Sequence, residues 1–287
     1  MNTIPFTFCN QQADYEKANA VIIQIPYDAT TCYVPGTRFG PHEIIKASKD
    51  LEFYDHDLDL YPTDLGIHTK DELVVYKAPG KMVDTIKEAV AEVLKDDKIP
   101  VILGGEHSVS IGAVQAVAEK FENLSILHID AHADMEDSFE GTKFHHACVS
   151  RRFFESCTSI SQIGIRNISE EGRKFANDNG INIQYAPSYD IPRLLAGLNE
   201  NVYITLDLDS LDPSVMPAVG TPEPGGMNWY ELMHVLENVI KTKNVVGFDI
   251  NELNPMVTPG NHMSAFTASK ILNKMFGYVL RKENSEN

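Results

Sequence analysis

Residues 124–134 read Leu-Ser-Ile-Leu-His-Ile-Asp-Ala-His-Ala-Asp. The first six form a short, largely apolar run of strand length, the kind that is buried on both faces of a parallel sheet. The last five place Asp130, His132 and Asp134 at alternate positions where the run ends. Alternate side chains on an extended strand end point the same way. In an open parallel sheet, ligands bind outside the carboxyl ends of the strands.

The same pattern recurs on either side. Further short apolar runs lie at 21–25, 100–103, 160–165, 202–206 and 245–248. Between them, residues 81–95 line up Met82, Ile86, Val90, Val93 and Leu94 on one stripe, and 229–241 does so with Leu232, Val235, Leu236 and Val239; this periodicity predicts helices. Such stripes cover a sheet as crossover helices, so the fold class is α/β with a mostly parallel central sheet. No Ser/Gly linker, repeat or low-complexity tract divides the chain, and residues 1–287 read as a single domain. The Pro/Gly-rich segments 26–41 and 213–226 are long for simple connections, which is where binding loops tend to lie.

Composition narrows the function. The chain has 287 residues, 43% hydrophobic and 23% charged, long enough to bury a sizeable core without disulfides or a structural metal. Its 41 acidic residues against 24 basic ones give a net charge of −17. Nucleic-acid binding rests on Lys and Arg, so a nucleic-acid partner is not expected, whereas a small cationic substrate would be attracted. Cys9, Cys32, Cys148 and Cys157 contain no C-x-x-C pair, a pattern of neither a zinc ribbon nor a disulfide framework, and they fit a reducing cytosol. No apolar stretch approaches the ~20 residues of a membrane span, and the first residues do not resemble a secretory signal. The expectation is a cytoplasmic protein with no membrane partner.

Two further run ends carry ligand-type residues: Gly-Gly-Glu-His-Ser at 104–108 and Asp-Leu-Asp at 207–209. Taken singly, Asp207 or Asp209 reads as a turn or cap residue after a strand, and His107 as a cap on the next helix. Taken together, Asp130, Asp134, Asp207 and Asp209 are four carboxylates that would repel one another and lose hydration if they converged without a cation. Four negative charges match two divalent cations, to which His107 and His132 add neutral nitrogens. This oxygen-rich set without thiolate suits Mn(II) better than a structural zinc.

The three motifs, in this order, resemble those of the ureohydrolase family (arginase and agmatinase). The resemblance continues through Pro-Tyr-Asp-Ala-Thr-Thr at 26–31, Pro-Gly-Thr-Arg-Phe-Gly-Pro at 35–41, Gly-Ile-Arg at 164–166 and Gly-Thr-Pro-Glu-Pro-Gly-Gly at 220–226, and so covers nearly the whole chain. It implies a three-layer α/β/α domain, two Mn(II) ions per chain and assembly as a homo-oligomer, a trimer or hexamer. It also implies that His107 and Asp134 bind one ion, His132 and Asp209 the other, and that Asp130 and Asp207 bridge both, with Asp134 orienting a hydroxide. The family's proton-shuttling histidine falls in Phe144-His145-His146-Ala147, where the His-Ala pattern points to His146. The family glutamate matches Glu252 in Glu252-Leu253-Asn254-Pro255. In the implied chemistry Glu252 holds a guanidinium, a metal-bridging hydroxide attacks its carbon, and His146 protonates the departing amine.

The loop at 135–143, Met-Glu-Asp-Ser-Phe-Glu-Gly-Thr-Lys, resembles the agmatinase type and not the arginase type. Glu136, Asp137 and Glu140 would attract a distal ammonium and repel a carboxylate, and they also read as a solvated loop face. Agmatine, cleaved to putrescine and urea in polyamine metabolism, is therefore the expected substrate. The alternatives are guanidinobutyrase, guanidinopropionase or arginase activity, a deacetylase of the same fold, or a non-catalytic metal-binding homologue. His107 and Asp209, which complete a second-metal set, argue against the deacetylase. Residues 256–263 depart from the Tyr-Asp-containing stretch common in agmatinases.

Overall fold

The apolar runs become strands because both of their faces are covered. In the computed structural model, which describes residues 6–286 other than 158, the chain runs β1 (Ala20–Ile25), α1 (Gly40–Ser48), β2 (Ile67–Thr69), α2 (Pro79–Lys95), β3 (Ile99–Gly104), α3 (Ser110–Lys120), β4 (Leu124–Ile129) and α4 (Val149–Ser156). It continues with β5 (Ile160–Ile165), α5 (Glu170–Asn179), β6 (Asn182–Tyr185), α6 (Ile191–Ala196), β7 (Asn201–Asp207), α7 (Trp229–Thr242), β8 (Asn244–Asn251) and α8 (Met263–Glu286). Alternate strand residues go to opposite sides, as period 2 requires. On β1, Val21, Ile23 and Ile25 join one core with α2, α3 and α4. Ile22 joins the other, with α1, α7 and α8. The result is the expected α/β/α arrangement around an all-parallel sheet of order β2-β1-β3-β8-β7-β4-β5-β6.

The two edge strands, β2 and β6, were not among the predicted runs. They are three and four residues long, too short for period 2 to stand out, and short edges suit a sheet that must not recruit another chain. No helix among the described residues is long and apolar enough to cross a membrane.

The strand order positions the site. β3 and β4 follow one another in sequence but are separated by β8 and β7, so α3 crosses two strands before the chain re-enters the sheet. The carboxyl ends of β3, β8, β7 and β4 consequently lie side by side, at a reversal of strand order where ligands bind. The Gly-Gly pair after β3 is what allows the close approach. A side chain at Gly104 would collide with that of Asn251, and one at Gly105 with the Tyr27 carbonyl. Gly105 instead donates its N–H to Ile25 (2.9 Å) and accepts that of Glu252 (2.8 Å), tying the ends of β1 and β8 together.

Candidate metal and catalytic centre

Each of the four central strands delivers part of the site. His107 opens the turn after β3, Asp130 follows β4, Asp207 ends β7 and Glu252 follows β8. The D-x-H-x-D and D-x-D spacings predict simple alternation, but the structure bends both segments. Asp134 has φ of +50°, and Asp209 lies in a 3-10 turn, Leu208–Ser210, whose N–H at Asp209 is capped by Asp207 Oδ1 (2.8 Å). Glu252 has φ of +69°. A left-handed backbone costs an ordinary L-residue about 1–2 kcal/mol, and such strain collects at functional sites.

The side chains converge in two groups. His107 Nδ1 is 3.0 Å from Asp130 Oδ2, 3.3 Å from Asp134 Oδ2 and 3.4 Å from Asp207 Oδ2. His132 Nδ1 is 2.9 Å from Asp209 Oδ2 and 3.6 Å from Asp130 Oδ1. Asp130 thus turns one oxygen toward each imidazole. Asp207 offers only Oδ2, since Oδ1 caps its own turn.

This arrangement lacks positive charge. Burial and then the charges of Asp209 and Asp130 raise Asp207 well above the usual carboxylate range, and burial and Asp130 raise Asp134. Burial opposes charge on His107, yet the carboxylates of Asp130, Asp134 and Asp207 close against Nδ1 outweigh it and drive the ring well above its ordinary value. Every one of these shifts takes up protons where a cation would otherwise sit. His107 Nδ1 is also a buried atom without a hydrogen-bond partner. Two imidazole nitrogens and four carboxylates fit a divalent metal, and the groups His107/His128/Asp130/Asp134 and Asp130/His132/Asp209 are compact enough to hold one.

His128 was missed in the sequence because it sits inside the β4 run. Its Nε2 is 2.6 Å from Asp130 Oδ2, while Nδ1 receives the Gln162 amide (2.8 Å) and lies 2.7 Å from Ser150 Oγ. The signal was a histidine two residues before Asp130, hence on the same strand face.

His145 and His146 face different surroundings. His146 lines the pocket with His107, His132 and Glu252; burial and then neighbouring histidines push its pKa down to about 3, so the ring is neutral. His145 is buried, packs on Phe139 (ring centroids 4.8 Å apart) and accepts the Ala147 N–H at Nδ1 (3.2 Å). Its proton therefore resides on Nε2, 3.7 Å from Cys32 Sγ. Cys32, His145 and His146 are close enough for a metal, but that committed nitrogen makes Cys32 and His145 a hydrogen-bonded pair.

Glu252 Oε1 accepts the His107 N–H (2.7 Å), and its Oε2 has no hydrogen-bond partner among the described residues. Burial and then Glu106 raise Glu252 well above the usual range. Glu106 lies behind it, held by the Thr30 N–H (2.7 Å) and the hydroxyls of Thr30 and Ser108; burial pushes it up to about 7.

The pocket, about 320 Å³, continues past Phe139 and Asn167 into a groove of about 160 Å³ that Glu136 lines. Among the described residues, no lysine or arginine lines either space. The three loop acids separate here. Asp137 is engaged by Arg152 (2.9 Å) and anchors the loop to α4. Glu140 is exposed, 3.9 Å from His145. Glu136 faces the groove with no cationic partner among the described residues. Arg166, of the Gly-Ile-Arg motif, fastens the site loops by donating to the carbonyls of Asp209 (2.7 Å), Glu223 (2.7 Å) and Ser210 (3.2 Å).

A model of the arginase family matches residues 18–277. The chain is 36% identical over 289 residues to the N(1)-aminopropylagmatine ureohydrolase of Synechocystis sp., a match covering 96% of this chain and 94% of that protein. It is 36% identical over 277 residues to the agmatinase of Pyrococcus horikoshii, covering 93% and 94%. The crystal structure of the agmatine ureohydrolase of Thermoplasma volcanium superposes with a TM-score of 0.89 at 29% identity, covering 100% of this chain and 97% of that one.

Proposed function

As a member of the arginase family the chain is a ureohydrolase, and we propose that it cleaves agmatine to putrescine and urea with two Mn(II) ions. One observation carries the choice of substrate. The pocket and its groove offer a carboxylate at each end, Glu252 and Glu136, and no lysine or arginine between them. A guanidinium at one end and an ammonium at the other match this pattern, whereas a carboxylate tail would meet Glu136 and no cation. A second reading, N(1)-aminopropylagmatine, is supported by the relative of that name and by the same groove, which would take a longer amine tail.

In this reading His107 and Asp134 hold one ion, and His132 and Asp209 the other. Bridging by Asp130 is supported by its two oxygens, which face different imidazoles. Asp207 joins through Oδ2. When bound, such ions supply the missing positive charge and acidify a water toward neutral pH. Glu252, its Oε1 fixed by the His107 N–H, presents Oε2 to the guanidinium N–H groups and holds the central carbon in place. His146 is neutral at rest, so it can take the proton that the attacking water releases and hand it to the departing amine. A cytoplasmic homo-oligomer, trimer or hexamer, completes the reading.

The test is urea release from agmatine, N(1)-aminopropylagmatine, arginine and guanidinobutyrate by the manganese-loaded protein, with metal content measured on the same sample. The highest kcat/KM for agmatine with two ions per chain is the expected result. Preference for the aminopropyl compound selects the second reading, and preference for a guanidino acid overturns the role of Glu136. No urea from any of the four, with two ions bound, overturns the catalytic assignment.

A further inference from the structure

Asp249 is a fully buried carboxylate in the middle of β8, and nothing in the proposed chemistry uses it. Tyr203 OH (2.8 Å), Thr205 Oγ1 (2.7 Å), the Asn251 amide (2.6 Å) and the Ser110 hydroxyl surround it, and Ser110 Oγ lies farther from Thr205 Oγ1 (3.3 Å) than Asp249 does. A threonine hydroxyl has one proton. Given to Asp249, that proton leaves the Thr205 oxygen to accept, and His107 Nε2 lies 2.8 Å away. His107 Nε2 therefore keeps its hydrogen, which leaves Nδ1, facing the oxygens of Asp130, Asp134 and Asp207 at 3.0, 3.3 and 3.4 Å, as the nitrogen that can ligate a cation. A nitrogen among three carboxylate oxygens holds a proton until a cation displaces it.

We infer that Asp249, acting through Thr205, is a positioning residue that holds His107 in the Nδ1-ligating tautomer and so sets occupancy of the metal position on the His107 side. The inference rests on the metal reading of the site and is independent of which substrate is cleaved. His132 has no comparable support: its ring is partly exposed, and Nε2 lies 3.8 Å from Glu223. Loss of the relay is therefore felt at one position and not the other.

The experiment compares wild type, Thr205→Val, Thr205→Ser and Asp249→Asn. Valine keeps the shape of threonine and removes the hydroxyl; serine restores the hydroxyl. Manganese titration of the apoproteins is read by metal analysis, with no assay of turnover. Wild type is expected to take up two ions. T205V is expected to keep one with near-normal affinity and to need about 10–100-fold more manganese for the other. T205S should return to within a few-fold of wild type, and D249N should shift the same ion in the same direction as T205V. In ¹⁵N-histidine-labelled apoprotein, the His107 signal, assigned by its absence in His107→Asn, should report Nε2 protonation in wild type and T205S and lose that signature in T205V. If T205V fails to fold, D249N and the wild-type tautomer decide the matter alone. Equal midpoints for both ions in D249N and T205V, or a wild-type His107 without a hydrogen on Nε2, would overturn the relay. A wild type that takes up no manganese would instead overturn the metal reading beneath it.

Discussion

Arg166→Met should loosen one half of the site without touching a metal donor. The Arg166 guanidinium donates to Asp209 O and Glu223 O at 2.7 Å each, to Gly164 O at 3.1 Å and to Ser210 O at 3.2 Å. Gly226 packs so closely that a Cβ there would press on its Nη2 at 2.6 Å. A hydrogen bond from a charged donor contributes about 1.5–3 kcal/mol. Asp209 is buried, so methionine strands its carbonyl; the Ser210 carbonyl keeps the Met227 N–H (3.0 Å), and the half-buried Glu223 carbonyl can rehydrate. One stranded carbonyl gives a loss of about 1.5–3 kcal/mol, or roughly 3–6 °C at about 2 °C per kcal/mol for a chain of this size. The Asp209 carboxylate would then rest on the Ala131 N–H (3.1 Å) and a long contact with Thr221 (3.4 Å), and metal on the His132–Asp209 side should weaken. Urea denaturation of the apoproteins isolates the stability effect from metal linkage, and metal analysis of the loaded proteins measures the second. Arg166→Lys should fall between, because an ammonium cannot span the same fork of carbonyls. An R166M apoprotein within 1 kcal/mol of wild type, with unchanged metal content, would refute the reasoning.

Two further outcomes follow from the pocket wall. His146→Asn should lower kcat by about 10²–10⁴-fold with both ions retained, whereas His145→Ala should lose a cap worth about 1 kcal/mol and little turnover; the opposite ranking in parallel kinetic and metal measurements would reverse the two assignments. Cys32 is exposed at the pocket, with Cys9 and Cys148 buried and Cys157 half-buried. Burial and then the charge of Glu140 raise its thiol above the usual 9.0, so little thiolate exists at pH 7 and maleimide labelling should be slow there and faster as pH rises toward 9. Labelling followed by mass spectrometry should track loss of urea release and be slowed by agmatine; full activity in stoichiometrically labelled protein would place the thiol outside the substrate's path.

The fold was readable because its central strands are apolar on both faces, and because α2 and α7 carry stripes at helical period. The proposed metal donors were readable for a related reason: Asp130, His132, Asp134, Asp207 and Asp209 interrupt or follow those runs at their ends, where a change of residue type is conspicuous. What alternation could not supply was the bend. Asp134 and Glu252 in the left-handed region and Asp209 in a tight turn depend on contacts between segments far apart in sequence, such as Glu252 with His107 and Arg166 with Asp209. The loop acids were legible as charge and not as direction, because the partner that removes Asp137 from the groove, Arg152, lies on α4.

The residues that escaped notice share one property: they are polar and lie inside runs read as strand. A sheet covered on both faces by helices should be almost wholly apolar, and a buried polar group there must find a partner. His128 on β4, Thr205 on β7 and Asp249 on β8 violate the apolar rule in the carboxyl half of a central strand, and Gln162 does so at the middle of the adjacent β5; all four connect, directly or through one another, to Asp130 or His107. Position along the strand separates them from Ser125 near the start of β4, which bonds instead to Ser159 and Asn199. A polar residue within a few positions of a ligand at the carboxyl end of a buried parallel strand therefore carries information that hydrophobic patterning treats as noise. It marks where the sheet gives up apolar packing to hold the ligands still. The proposed metal position is thus marked twice in this sequence, by the carboxylates and imidazoles that follow the strands and by the polar groups within them.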